Sequence, residues 1–235
     1  MEYRKHRIFG YTLAILIHIA NLVYMGIYVA PRVYGNPKLM QFNNLQPRFF
    51  TIWTLILQLI YSAVSLICEI KMKNATNWKN MTRYVNGLRN VMFSSILWPS
   101  CWVVAIVFWS LYLYDIDLIF PEHTAELLHP ISNHIMHTLI VPISVWEVIY
   151  RPRNQPRSHR KYVYHLLFYF AVYFSVLIYT YIERGLWIYP VFAKFYGTIF
   201  FPLIHLVVTG IAIVAYVIQW PLAKYVWRQN IKKAL

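Results

Sequence analysis

The chain has 235 residues, of which 59% are hydrophobic, 18% aromatic and 13% charged, with a formal net charge of +14 and a mean hydropathy of +0.45. The apolar residues come in long runs with the charges gathered between them, which excludes a soluble globular core and describes an integral membrane protein. The surplus of Lys and Arg therefore belongs to a membrane surface, and nucleic acid is excluded as a partner because no soluble basic domain exists to present it.

A membrane-crossing helix needs about 20 apolar residues. Six stretches qualify: 8–30, 49–68, 91–114, 130–150, 162–182 and 195–223; five contain no Asp, Glu, Lys or Arg, and the fourth contains only Glu147. The sequence thus predicts an all-α, six-span helical bundle filling residues 1–235 as a single membrane-embedded domain. The first stretch is too long for the apolar part of a signal peptide and lacks a small-residue cleavage site, so it reads as the first span. The last carries Pro202 near one end and should start or kink there.

In the second span, Thr51, Thr54, Gln58, Ser62, Ser65 and Glu69 fall within an arc of about 80° at about 100° per residue, a polar stripe that should face the bundle. The simplest role for such residues is structural: Ser and Thr bond back to their own helix, and Gln58 locks two helices together. Cys68 and Cys101 lie inside spans and fit neither a disulfide framework nor a metal motif. Asn74-Ala75-Thr76 and Asn80-Met81-Thr82 are glycosylation sequons in a loop placed inside, where they should stay unmodified.

The loop after the third span is acidic, with Asp115, Asp117, Glu122 and Glu126. The fourth span then carries Asn133, His134, His137 and Thr138 in otherwise apolar surroundings. His134 and His137 lie one helical turn apart, and Pro142 removes the hydrogen bond its nitrogen would give the Thr138 carbonyl. Packing between helices accounts for these polar groups as well as function does. Glu147, ten residues beyond His137, is about 15 Å further along the helix and cannot orient that ring. Asp115 or Asp117 is nearer in depth, either as an orienting carboxylate or as a cap of the outer loop.

Seventeen Lys and Arg residues fall in segments that are inner if the N-terminus is inside, and five in outer loops. Both termini should therefore face the cytoplasm, with anionic lipids against that face. The densest basic run, residues 151–161, serves as a topological signal or a lipid headgroup contact. The terminal Lys232-Lys233-Ala234-Leu235 resembles a dilysine retrieval signal and points to the endoplasmic reticulum, with the plasma membrane as the other candidate; two lysines holding the inner interface explain it equally.

The second and fourth spans both run from outside to inside, and the depths of Thr51 and His137 differ by about 7 Å at about 1.5 Å per residue, so contact between them is allowed. A hydroxyl beside an imidazole in a dry pocket is a nucleophile with its base, and an ester dissolved in the bilayer is a suitable electrophile. That chemistry calls for no metal or other cofactor. Two other readings compete. A metal-dependent lipid desaturase or hydroxylase would use His134, His137, His123, His129 and Glu147, but such enzymes carry several histidine boxes toward the cytoplasmic side. A transporter or scaffold would use the stripe as a path or interface, but paired half-helix signatures and internal repeats are missing.

The ordered segments RFFTIWTLILQ (48–58), GLRNVMFSSILWP (87–99), FWSLYLYDIDLIFP (108–121), NHIMHT (133–138) and GLWIYP (185–190) resemble the androgen-induced protein and androgen-dependent TFPI-regulating protein family. The resemblance implies a multi-pass intramembrane hydrolase that cleaves fatty acid esters of hydroxy fatty acids with a threonine and a histidine. The family threonine stands seven residues before a glutamine, matching Thr51 and Gln58 and not Thr54; the family histidine is the second of its pair, matching His137 and leaving His134 as a neighbour. Gln58, Asn133, His134, Thr138 and Asp115 form the candidate supporting set. Trp187 and Tyr189 lie near the outer face, at the mouth of a pocket or as interfacial anchors. Residues 53–55 and the first span look divergent, so chain-length selectivity need not carry over.

Overall fold

The computed structural model describes residues 3–71, 79–120 and 127–233. The 74–76 sequon, the loop residues Glu122, His123 and Glu126, and the terminal Ala234 and Leu235 lie outside them, and so do the side chains of Lys232 and Lys233. The described residues form a helical membrane bundle with no strand. Five helical stretches are long and apolar enough to cross a bilayer: α1 (Arg4–Val33), α3 (Phe50–Lys71), the stretch Tyr84–Tyr114, α8 (Arg160–Arg184) and α10 (Phe200–Lys233). Two short helices, α2 (Pro37–Leu45) and α9 (Pro190–Phe195), sit between spans. The fourth expected span, 130–150, is also helical, but in pieces.

Proline explains the pieces. In the third span, α4 (Lys79–Met92) and α5 (Trp98–Tyr114) are joined by a π-helical turn, Phe93–Leu97, just before Pro99. In the fourth, α6 (Pro130–His134) and α7 (Ile140–Tyr150) are joined by a second π turn, Ile135–Leu139, just before Pro142. A proline gives no backbone hydrogen bond and its ring crowds the carbonyl four residues earlier, so the preceding turn widens. His137 lies in one of these widened turns.

The last span begins later than expected. Residues 195–199 are not part of it: α9 ends at Phe195, Gly197 turns the chain at a φ of +78°, and α10 starts at Phe200. Pro202 then falls in the first turn, where a missing N–H costs nothing.

The polar stripe of α3 faces inward as its spacing predicts: Thr54, Gln58, Ser62, Ser65 and Glu69 are all buried, and Thr51 is half-buried. On α10, by contrast, Leu206, Val207, Val214, Val217 and Ile218 are exposed, an apolar surface suited to lipid and not to water.

One end of the bundle gathers the start of α1, the last turns of α10 and a buried ionic network. The Arg4 guanidinium donates to the Glu69 carbonyl at 2.7 Å and Arg7 pairs with the Glu69 carboxylate at 2.9 Å. Glu147 is buried and accepts from Tyr11, Tyr61, Arg151 and Arg153. Trp227, near the end of α10, donates to the Val148 carbonyl at 3.1 Å. Arg151 and Arg153 therefore point into the protein, so the first two charges of the basic run serve the fold.

Candidate active site

Thr51 lies in the first turn of α3, where backbone N–H groups lack partners within the helix and the helix dipole presents its positive end. Three bonds fix this helix start. The Phe50 N–H donates to the Tyr189 hydroxyl at 3.1 Å, Tyr189 and Tyr173 hydroxyls lie 3.1 Å apart, and Tyr173 donates to the Arg48 carbonyl at 3.3 Å. Since the Tyr173 proton is committed to Arg48, Tyr189 donates to Tyr173. Burial holds the Tyr189 phenol above its ordinary pKa, so it keeps the proton this chain requires.

Opposite Thr51 stands His137, with Thr51 Oγ1 and His137 Nε2 3.3 Å apart. The other ring nitrogen, Nδ1, contacts two acceptors of Asn133: the backbone carbonyl at 3.0 Å and the side-chain Oδ1 at 2.7 Å. A carbonyl oxygen only accepts, so Nδ1 carries the proton and Nε2 presents its lone pair to the Thr51 hydroxyl. The ring is clamped against Phe108, with ring centres 3.4 Å apart and planes 9° apart. The arrangement has the parts of a nucleophile, a base and a group that orients the base.

The pair borders a cavity of about 300 Å³, lined mostly by apolar residues that include Met25, Val29, Phe42, Ile52 and Leu127. Thr51, Phe108 and Tyr189 also border a second apolar cavity of about 100 Å³ beneath α8 and α10. Thr51 thus stands at the divide between two greasy chambers.

The remaining candidates separate clearly. Asp115 does not reach His137; its carboxylate caps the short turn Ile116–Leu118 by accepting from the Asp117 N–H at 3.1 Å, and the role once open to it is filled by Asn133. Thr54 donates to the Phe50 carbonyl of its own helix at 2.9 Å. His134 and Thr138 are exposed on the far face of their helix, bonded to each other at 3.2 Å and beside Trp109, and line neither chamber. Gln58 lies deeper: its amide donates to the Ile140 carbonyl at 3.0 Å and its oxygen accepts from His18 at 2.8 Å, tying α1, α3 and α7 together. Tyr189 borders both chambers, whereas Trp187 is buried in an aromatic cluster, stacked on Tyr181 with ring centres 4.5 Å apart.

Among the described residues no three His, Cys, Asp or Glu side chains converge as a metal site. His137 is engaged at both nitrogens, and His129 Nδ1 caps α6 by accepting from the Ile131 N–H at 3.3 Å.

Sequence reading missed Asn21. It lines the larger chamber from α1 and is 3% exposed, as is appropriate to a residue facing the bundle. The signal was available: His18 and Asn21 are isolated polar groups one turn apart in an apolar span.

Comparison with known proteins identifies relatives of this chain. The family model described as FAR-17a/AIG1-like protein matches residues 11–222. The androgen-dependent TFPI-regulating protein of Homo sapiens is 32% identical over 158 residues, covering 67% of each chain. Its Mus musculus counterpart is 31% identical over 189 residues, covering 78% of this chain and 81% of the relative. The androgen-induced gene 1 protein of Homo sapiens is 23% identical over 150 residues, covering 61% of this chain and 62% of the relative. No solved structure matches the chain.

Proposed function

The chain belongs to the FAR-17a/AIG1-like protein family, and we propose that it is an intramembrane hydrolase of lipid esters that uses Thr51 as nucleophile and His137 as general base. The observation that carries this reading is the 3.3 Å approach of Thr51 Oγ1 to the unprotonated nitrogen of an imidazole whose other nitrogen is held by Asn133. Hydrogen bonds of this kind are often long in the absence of substrate and tighten when it binds.

In the proposed reaction, His137 Nε2 takes the Thr51 proton as Oγ1 adds to the ester carbon, and the carbonyl electron pair moves onto oxygen. Collapse breaks the bond to the alkoxy group, which takes the proton from His137. Water, activated in turn by His137, then releases the acid from Thr51. Location of Thr51 at the positive end of α3 favours the negative charge that develops beside it.

The substrate class is an ester with two long apolar arms, because two apolar chambers meet at Thr51. Fatty acid esters of hydroxy fatty acids, implied by the family resemblance, have that shape. The ionic end, rich in arginine, faces the cytoplasm and its anionic lipids in this reading, and the Thr51 end faces the opposite side. Protease added to sealed microsomes should remove a C-terminal tag; a protected tag reverses the orientation.

Hydrolysis of a long-chain ester by purified wild type and by variants tests the assignment. Thr51→Ala and His137→Ala should each abolish turnover while the protein stays in the membrane, and Thr54→Ala and His134→Ala should retain much of it. Equal, mild losses at all four positions would assign these residues to packing.

A further inference from the structure

We propose that the side-chain amide of Asn21 is the hydrogen-bond donor for the ester carbonyl under attack by Thr51, an inference that rests on the hydrolase reading above. Buried polar groups in native proteins are almost always satisfied, so a buried amide with no partner on either atom calls for a reason. Asn21 is such a group: it is 3% exposed, and neither Oδ1 nor Nδ2 has a hydrogen-bond partner among the described residues. It lines the same chamber as Thr51 and His137.

Helix register brings it to the right depth. α1 runs antiparallel to α7, with the Trp146 indole donating to the His6 carbonyl at 3.2 Å and packed on Gly10. It also runs antiparallel to α3, with His18 bonded to Gln58 at 2.8 Å. Counting outward from these contacts at about 1.5 Å per residue places Asn21 within about one helical turn of the level shared by Thr51 and His137. The other polar groups of the chamber are less suited: Asn43 and Gln46 are half-buried toward the α2 end, and the Tyr189 hydroxyl is engaged with Phe50 and Tyr173.

The chemistry needs a donor there. As Thr51 Oγ1 bonds to the carbonyl carbon and its proton passes to His137, the carbonyl oxygen gains a full negative charge in an apolar chamber. An Nδ2–H aimed at that oxygen stabilises the charge without reorganisation, and binds the ground-state carbonyl more weakly. The substrate carbonyl thereby supplies the acceptor that Asn21 Nδ2 lacks among the described residues.

The test compares full-length wild type with Asn21→Leu, which keeps the volume and removes the donor, and Asn21→Gln, which keeps an amide. The palmitoyl ester of a hydroxystearic acid serves as the probe. Asn21→Leu should lower kcat by about 10²- to 10³-fold with little change in KM, and Asn21→Gln should recover about tenfold of that loss. The thermal midpoint of Asn21→Leu should not fall, because no internal hydrogen bond is lost. Wild-type kcat in Asn21→Leu overturns the proposal, and so does a loss of kcat accompanied by a lower midpoint with Asn21→Gln no better than Asn21→Leu. Failure of the underlying reading is distinguishable in the same assay: a wild type that does not cleave the ester, or a Thr51→Ala variant that does, contradicts the hydrolase assignment itself.

Discussion

Replacing Asn133 with Ala should weaken catalysis only modestly, and the reason lies in the doubled acceptor at His137. The side-chain Oδ1 accepts from Nδ1 at 2.7 Å, but the Asn133 backbone carbonyl does so too, at 3.0 Å. Truncation removes the first and leaves the second, so the ring keeps the tautomer that presents Nε2 to Thr51. The loss is that of one neutral hydrogen bond, about 0.5–1.5 kcal/mol. If all of it falls on the transition state, kcat drops about 2- to 12-fold, since about 1.4 kcal/mol is tenfold in rate. Initial rates of long-chain ester hydrolysis, with the thermal midpoint measured alongside, read the effect. A loss as deep as that of His137→Ala would show that the backbone carbonyl does not hold the tautomer. No loss at all would remove the side chain from the site.

Three further outcomes follow from the same geometry. Glu147→Gln leaves the buried Arg151 and Arg153 without their carboxylate and should cost about 3–5 kcal/mol of stability, read as a lower thermal midpoint in detergent; an unchanged midpoint would contradict the network. Tyr189→Phe removes the acceptor of the Phe50 N–H beside Thr51 and should lower kcat several-fold, by about 1 kcal/mol, whereas Trp187→Phe, at a residue that lines neither chamber, should not; equal effects on kcat would break the distinction. Long-chain esters should be hydrolysed with far higher kcat/KM than short water-soluble ones, because the binding energy resides in apolar chambers; a preference for short esters would place the reaction outside the membrane.

Much of the architecture was legible because lipid imposes strict rules on sequence. Uncharged runs of the required length marked the spans, and a period of 3.6 placed Thr54, Gln58 and Ser65 on the face that the structure buries. Pro142 marked the irregular helix at His137, and depths within about 7 Å of each other allowed the Thr51 contact. What escaped was information that only assembled helices contain. Asp115 and Asp117 were open to two roles, orienting carboxylate or cap of the outer loop, and Asp115 takes the second; a helix places the carbonyl of Asn133 one turn from His137 with no further requirement. Trp187 read from its position as a pocket mouth or an interfacial anchor, while its burial depends on Tyr181 and Phe201 from two different helices. Arg151 and Arg153 read as surface charge because their carboxylate, Glu147, lies on the preceding helix and turns inward. Asn21 escaped because a lone amide in an apolar span announces a buried polar contact without naming its partner.

The most direct test of the central claim is to find the nucleophile chemically. A long-chain fluorophosphonate applied to native membranes forms a stable adduct with an activated hydroxyl, and fragmentation of the digested protein locates it. A single adduct on Thr51 is expected, absent from Thr51→Ala and from His137→Ala and retained in Thr54→Ala. An adduct on another residue, or labelling that survives Thr51→Ala, would contradict it.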